Sequence, residues 1–185
     1  MKTIVNVDIQ PEYQKNITFD IHNWVKYINR VAKQNNIVFL YNGYDTMGMI
    51  DRNSYIEWLY NLGINESVIN DAIFYDKSYA FFRNAMDKGM DEDQISDLVK
   101  FMIKNNINDS RDIENDLWNE YENIKTRDLL EGSEDMICIP DVMDELDYYS
   151  NIHLLGRAAN ECLKEIEIAL TALNKKYNLL NQFIY

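Results

Sequence analysis

The chain has few of the residues that interrupt or cross-link a fold. Its 185 residues include only 6 glycines and 2 prolines, which argues against long disordered linkers. Two cysteines, Cys138 and Cys162, are too few for a disulfide framework, so we expect a reducing compartment. We find no secretory signal pattern and no apolar run near the roughly 20 residues of a membrane span. These absences predict a cytoplasmic protein with no membrane partner.

Positive charge is also scarce. The chain has 18 Lys and Arg residues against 31 Asp and Glu residues, which gives a net charge of −13. A surface this acidic repels nucleic-acid phosphates and disfavours nucleic acid as a partner, whereas it suits solubility or a basic protein partner. The abundance of Asn, Ile, Asp and Tyr is typical of AT-rich genomes, so a phage or low-GC host is a hypothesis for the source.

Strand and helix patterns alternate along the chain. A buried strand pattern covers residues 3–9, an amphipathic helical stripe runs from 21 to 32, and a second strand pattern covers 37–41. This order predicts a parallel βαβ unit with a right-handed crossover. Further strand patterns cover residues 72–75, 136–139, 152–155 and 179–185. The chain is therefore predicted to be a single α/β domain, residues 1–185, with a mostly parallel sheet between two helical layers.

Helix signals fill the space between these strands. Asp51 is expected to cap one helix, and Asp91 with Gln94 has the pattern of a capping box before another. Residues 86–136 form a helix-rich block that a minimal α/β domain does not need, which predicts a helical insertion. Because methionines and aromatics in it adapt to partner surfaces, a homo-oligomer contact or a protein partner is one hypothesis, beside ordinary core packing.

Three polar motifs follow predicted strands at the same edge of the sheet. Asp8 and Gln10 follow the first strand, Lys77 follows the third, and Gly156 leads a turn into a helix that carries Cys162. Open α/β sheets bind ligands at the carboxyl ends of their strands. A carboxylate can take a thiol proton and an ammonium can stabilise a thiolate. These motifs predict nucleophilic chemistry on a small-molecule substrate.

Cys162 has two interpretations. A helix start carries positive partial charge, so a thiol in the first turn is expected to ionise more easily and to act as a nucleophile. The turn from Gly156 through Ala159 would then supply N–H groups to a substrate oxyanion, with Gln10 nearby. Alternatively, Cys162 belongs to an apolar helix face with Leu163, and free cysteine is among the most buried residue types.

The nucleophile interpretation is supported by a resemblance to a known family. The motifs resemble those of the isochorismatase-like cysteine hydrolases, which include the nicotinamidases. The matching residues, in chain order, are Asp8, Gln10, Tyr13, Lys77, Phe81 or Phe82, Gly156 and Cys162. The resemblance implies that Asp8 is the base, Lys77 the thiolate partner and Cys162 the nucleophile that attacks a small amide or ester.

The chain departs from that family at four places, one of which is the block 86–136, where the family continues directly to its next strand. Ala159 stands where the family has Thr or Ser, and Lys164 and Glu165 stand where it has small residues after the cysteine. Residues 44–49 lack the histidines of the nicotinamidase metal site. The implied site is therefore a cysteine site without a metal or other cofactor.

A further hypothesis uses carboxylates alone. Asp8 and Asp45 both follow predicted strands, and Asp141, Glu161 and Glu165 could join them. Such oxygen ligands suit Mg²⁺ or Mn²⁺, and the pattern is similar to that of PIN-like nucleases, in which bound metal ions assist phosphodiester cleavage. The net charge of −13 argues against a nucleic-acid substrate.

Overall fold

The computed structural model describes residues 1–43, 50–77, 82–121, 137, 139, 141–157 and 159–185. The strands are β1 (Thr3–Val7), β2 (Asn36–Tyr41), β3 (Ile73–Asp76), β4 (Ile152–Gly156) and β5 (Tyr177–Ile184). The helices are α1 (Ile21–Val31), α2 (Arg52–Leu62), α3 (Glu66–Asp71), α4 (Arg83–Asp87), α5 (Glu92–Lys104), α6 (Asn115–Glu120), α7 (Val142–Tyr148) and α8 (Cys162–Ala172). Two 3₁₀ helices cover Pro11–Asn16 and Ser110–Asp112.

The five strands form one parallel sheet in the order β3-β2-β1-β4-β5. The chain steps from β1 outward to β3 and then returns to the other side of β1 as β4. The order therefore reverses between β1 and β4, where Val7 lies opposite Gly156. A reversal of this kind leaves a crevice at the carboxyl ends of the strands, the usual ligand position in open α/β sheets.

Buried apolar residues form two clusters, one on each face of the sheet. Val5 and Val7 of β1 pack in the cluster that includes the inner faces of α5, α7 and α8. Ile4 packs in the other cluster, with α1 and α2. Because neighbouring residues of a strand point to opposite faces, one short strand supplies both cores. The predicted three-layer α/β class with a parallel sheet is confirmed.

A buried polar pair joins the central strand to its covering helix. Asn6 is fully buried in β1; its amide donates to the Val38 carbonyl at 3.1 Å and accepts from the Trp24 indole at 3.0 Å. Trp24 is the largest fully buried side chain of α1. Since both polar groups are satisfied, they fix α1 on the sheet without an uncompensated desolvation cost.

The predicted helix caps are confirmed. Asp51 accepts hydrogen bonds from the backbone N–H groups of Asn53 and Ser54 at the start of α2. Asp91 and Gln94 form a reciprocal capping box at the start of α5. These contacts satisfy donors that the first turn of a helix otherwise leaves without partners.

Three strand predictions need correction. The first strand ends at Val7, two residues before its predicted end. The predicted strand 136–139 lies partly outside the described residues, and Ile137 and Ile139 are not in the sheet. Instead, the Ile137 carbonyl accepts a hydrogen bond from Ser110 N–H, and Ile139 N–H donates to the Asn108 carbonyl. These backbone groups therefore bond to the segment around Ser110 and not to a strand of the sheet. The last strand begins at Tyr177, two residues before its predicted start.

The helical block 86–136 contributes to the core where the structure describes it. Helix α5 packs against α8, and its residues Ile95, Leu98, Val99 and Met102 are buried. The apolar side chains of α5 thus serve one of the two helical layers. Among the described residues, none of the helices combines the length and apolar character that crossing a membrane requires.

Candidate active site at the carboxyl edge of the sheet

Three side chains that are distant in sequence meet beside the reversal point of the sheet. Lys77 Nζ lies 3.2 Å from Asp8 Oδ2, and both side chains have zero solvent exposure. The Cys162 thiol is close enough to the same Asp8 carboxyl group for each to shift the pKa of the other. The structure therefore brings together the carboxylate, the ammonium and the thiol that the sequence singled out.

Asp8 reaches this position through an unusual backbone conformation. It follows β1 directly and has a φ of 51°, in the left-handed region, which aspartate adopts more readily than most residues. Its N–H donates to the Leu40 carbonyl at 2.9 Å, and its carbonyl accepts from the Tyr185 hydroxyl at 2.9 Å. Contacts from β2 and from the residue after β5 thus hold the strained residue in place.

Lys77 is held by the end of β2. Its N–H donates to the Tyr41 carbonyl at 3.0 Å, which extends the pairing of β3 with β2 by one residue. This places the long side chain so that it crosses the end of β2 to reach Asp8, which follows the next strand. A lysine buried to this degree is expected to have an anionic partner, and Asp8 supplies it.

The turn before Cys162 depends on a glycine. Gly156 has a φ of 124°, and a Cβ atom built on it would lie 2.0 Å from the Val7 carbonyl oxygen. The same oxygen accepts from Arg157 N–H at 2.9 Å. Only glycine permits this approach of β4 to β1. Gly156 therefore serves the backbone geometry of the site, whereas Ala159 lies exposed in the turn that leads to α8.

The thiol of Cys162 is protonated at neutral pH. Burial, followed by the Asp8 carboxylate, raises the pKa of Cys162 to about 12, and Lys77 offsets only part of this shift. The expectation that a helix start makes this thiol easier to ionise is therefore wrong. The dipole acts on an exposed first turn, whereas this sulfur is largely removed from water and faces a carboxylate.

The Asp8 carboxyl group and the Lys77 ammonium affect each other. Burial raises the pKa of Asp8, and the nearby Lys77 opposes that shift. Burial lowers the pKa of Lys77, but the negative charge of Asp8, with smaller effects of Cys162 and Glu165, raises it overall. The ammonium is therefore kept charged beside a carboxylate that is more basic than usual.

The buried polar atoms of this cluster retain hydrogen-bonding capacity. The Asp8–Lys77 contact is short enough for a hydrogen bond but lacks its angles, so neither Asp8 oxygen nor Lys77 Nζ makes an aligned bond to the described residues. Native proteins contain few buried polar groups without hydrogen-bond partners, so these groups need an explanation. A substrate or a water molecule bound at the cluster would provide the missing partners.

Polar and aromatic side chains surround the cluster. The Gln10 amide makes a hydrogen bond at each end: Oε1 accepts from Asn42 N–H and Nε2 donates to Glu12, each at 3.0 Å. The Asn42 amide donates to the Tyr13 hydroxyl, and the Arg157 guanidinium lies 3.8 Å above the Tyr13 ring. In this arrangement Gln10 links the loops after β1 and β2.

Glu165 is a member of the cluster that sequence reasoning considered only as a metal ligand. It lies one turn after Cys162 on α8, is 1% exposed, and accepts from Phe82 N–H at 2.7 Å. The sequence alone does not set Glu165 apart, because Lys164 and Glu167 of the same helix are also charged.

The carboxylate-only metal hypothesis receives no such convergence. Asp45 lies outside the described residues. Asp141 lines a surface cleft of about 490 Å³ beside Tyr75 and α7, while the described partner of Asp8 is an ammonium. Within the described ranges, no group of three or more His, Cys, Asp or Glu side chains could hold a metal ion.

Comparison with protein-family models, with curated proteins and with solved structures finds no match to this chain. We therefore infer its function from the chemistry of the site.

Proposed function

We propose that the protein is a cysteine hydrolase of a small amide or ester, with chemistry similar to that of the isochorismatase-like enzymes. The observation that carries this proposal is the fully buried Asp8–Lys77 pair, whose Asp8 carboxyl group acts on the pKa of the Cys162 thiol. A cysteine retained only for packing would need neither a buried carboxylate nor a buried ammonium beside it, because each is costly to desolvate.

In the first half of the proposed reaction, Cys162 Sγ attacks the substrate carbonyl carbon as its proton passes to Asp8. The C–S bond forms while the carbonyl π electrons move to oxygen. The tetrahedral intermediate then collapses, the bond to the leaving nitrogen or oxygen breaks, and Asp8 returns the proton to the leaving group. Lys77 stabilises the Asp8 carboxylate between transfers, and N–H groups of the first turn of α8 are suited to the oxyanion.

In the second half, water hydrolyses the acyl-enzyme. Asp8 takes a proton from the water as its oxygen attacks the thioester carbonyl. The tetrahedral intermediate then collapses, the C–S bond breaks, and Asp8 returns the proton to the departing sulfur, which releases the carboxylic acid product and restores the Cys162 thiol. The same carboxyl group thus acts first as base and then as acid in each half of the reaction.

The protonation states support this division of roles. The thiol pKa of about 12 means that the attacking sulfur is not a preformed thiolate. A base must therefore act during the attack, and the carboxyl group in contact with the thiol has its pKa raised by burial. A raised pKa makes a carboxylate a better general base.

The proposal is tested by trapping the acyl-enzyme. We would incubate the native protein with p-nitrophenyl acetate, follow p-nitrophenolate release, and locate the acetyl group by mass spectrometry. We expect a thioester on Cys162. The Asp8→Asn variant should lose about 10²-fold to 10⁴-fold of the acylation rate, the usual contribution of a general base.

Two variants serve as controls. Cys162→Ala should abolish the thioester, whereas Cys138→Ala should leave acylation at Cys162 unchanged. An acetyl group carried only by lysines or by Cys138, or p-nitrophenolate release that survives in Cys162→Ala, would overturn the proposal.

A further inference from the structure

We propose that Glu165 is a positioning residue of this site: it anchors Phe82 to the helix that begins with Cys162 and supplies a second buried carboxylate whose charge acts on Lys77 and Cys162. This inference rests on the proposed function of the cluster for its catalytic meaning. Its two parts, the anchor and the charge, concern contacts that can be measured separately.

The anchor is a buried hydrogen bond between distant segments. Glu165 Oε1 accepts from Phe82 N–H at 2.7 Å, and both residues are essentially excluded from solvent. Phe82 immediately precedes α4, while Glu165 belongs to the helix that begins with Cys162. A bond to a carboxylate is stronger than one between neutral groups. It therefore ties the residue that immediately precedes α4 to the helix of the proposed nucleophile.

The charge acts on both functional neighbours of Glu165. A spacing of three residues places Glu165 on the same side of α8 as Cys162. The negative charge of Glu165 contributes to the raised pKa values of Lys77 and Cys162. The charges of two buried carboxylates thus stabilise the Lys77 ammonium, and Asp8 has the larger effect of the two.

The charged groups of the described cluster come from four elements. Asp8 follows β1, Lys77 follows β3, Arg157 follows β4, and Glu165 lies on α8 with the Cys162 thiol. Tyr13, Tyr55 and Tyr185 also face Asp8, and their pKa values are raised, so they stay neutral near pH 7. Beside Asp8, the Glu165 carboxylate is the other acidic side chain whose charge raises the pKa of Lys77.

The anchor and the charge are separated by two substitutions. Glu165→Gln keeps a carbonyl oxygen for Phe82 N–H but removes the charge, whereas Glu165→Ala removes both. Glu167→Gln is a matched control, because Glu167 is a buried carboxylate on the same helix whose partner is the Tyr177 hydroxyl at 2.9 Å. Circular dichroism would establish that each variant is folded.

The anchor is measured by hydrogen exchange of the Phe82 amide. We expect Glu165→Ala to speed this exchange on the order of tenfold, while Glu165→Gln and Glu167→Gln stay near the native rate. Native-like protection of Phe82 in Glu165→Ala would overturn the anchor.

The charge is measured by the pH dependence of Cys162 alkylation with iodoacetamide. We expect Glu165→Gln to move the profile about one unit toward lower pH, and Glu167→Gln to leave it in place. An unchanged profile in Glu165→Gln overturns the charge role. If Asp8→Asn moves the profile and Glu165→Gln does not, this inference fails and the proposed function stands. If the native protein forms no thioester on Cys162, the proposed function fails, whatever the alkylation profiles show.

Discussion

Asp8 suppresses ionisation of Cys162, so its removal should make the thiol more reactive toward an alkylating agent. Between a thiol pKa of 9.0 and one of about 12, the thiolate fraction below pH 9 falls by about a thousandfold. A more basic thiolate is also a better nucleophile, which recovers about 20-fold of that loss. We therefore expect native Cys162 to react with iodoacetamide at pH 8 at least about 50-fold more slowly than in the unfolded chain.

Two substitutions should shift this rate in opposite directions. A charge about 4 Å away is worth up to about three pKa units at an intermediate dielectric constant. Asp8→Asn removes such a charge and leaves Lys77 in place, so alkylation of Cys162 should become about 3-fold to 50-fold faster. Lys77→Met keeps most of the side-chain volume but removes the cation, so alkylation should become slower.

The assay is a time course of iodoacetamide labelling between pH 6 and pH 10, with the modified peptide identified by mass spectrometry. Cys138→Ala leaves Cys162 as the sole cysteine, and circular dichroism verifies the fold of each variant. Slower labelling in Asp8→Asn, or faster labelling in Lys77→Met, would refute the electrostatic account. Equal rates for all variants would show that access, and not ionisation, controls the sulfur.

Three other predictions concern stability. Gly156→Ala should lower the free energy of unfolding by about 3 kcal/mol in urea titrations, because its Cβ would overlap a backbone oxygen. Gly89 also has a positive φ but has open space around it, so Gly89→Ala should lower the free energy of unfolding by only about 1 kcal/mol. Equal decreases for the two variants would contradict this reasoning. Asp91→Ala should lower the free energy of unfolding by about 1 kcal/mol because the capping box is lost. Asp91→Ser should recover most of that free energy. An Asp91→Ala variant with native stability would count against the cap. Folding raises the pKa of Cys162 from 9.0 to about 12, so between these pH values the native state keeps a proton that the unfolded chain releases. The free energy of unfolding should therefore fall as the pH rises across that range, by up to about 4 kcal/mol relative to Cys162→Ala. Parallel plots of unfolding free energy against pH for the native protein and Cys162→Ala would contradict the shift.

The fold could be predicted because local patterns and tertiary structure agree for most elements. The apolar runs of β1, β2 and β4 are buried on both faces, as parallel strands require. The strand predicted over 136–139 shows the limit of that reasoning. Its short apolar pattern does not specify a partner, and Ile137 and Ile139 make their described backbone bonds near Ser110.

The candidate site was predictable in its members but not in its electrostatics. Asp8, Lys77 and Cys162 could be chosen because each follows a predicted strand at an edge where parallel strands all end. The raised pKa of the thiol could not be foreseen from the helix start, since it depends on burial and on contact with Asp8. The role of Glu165 depends on Phe82, which is 83 positions away in the chain.

The close approach of Gly156 to Val7 has a consequence for engineering this protein. Val7 directly precedes Asp8, and Gly156 opens the turn to Cys162, so two main-chain segments in direct contact determine how far the base lies from the sulfur. Libraries that vary Tyr13 and Arg157 change side chains around this frame and leave the contact between the two strands intact. In the proposed hydrolase, the side chains around the site and the spacing between Asp8 and Cys162 can therefore be altered independently.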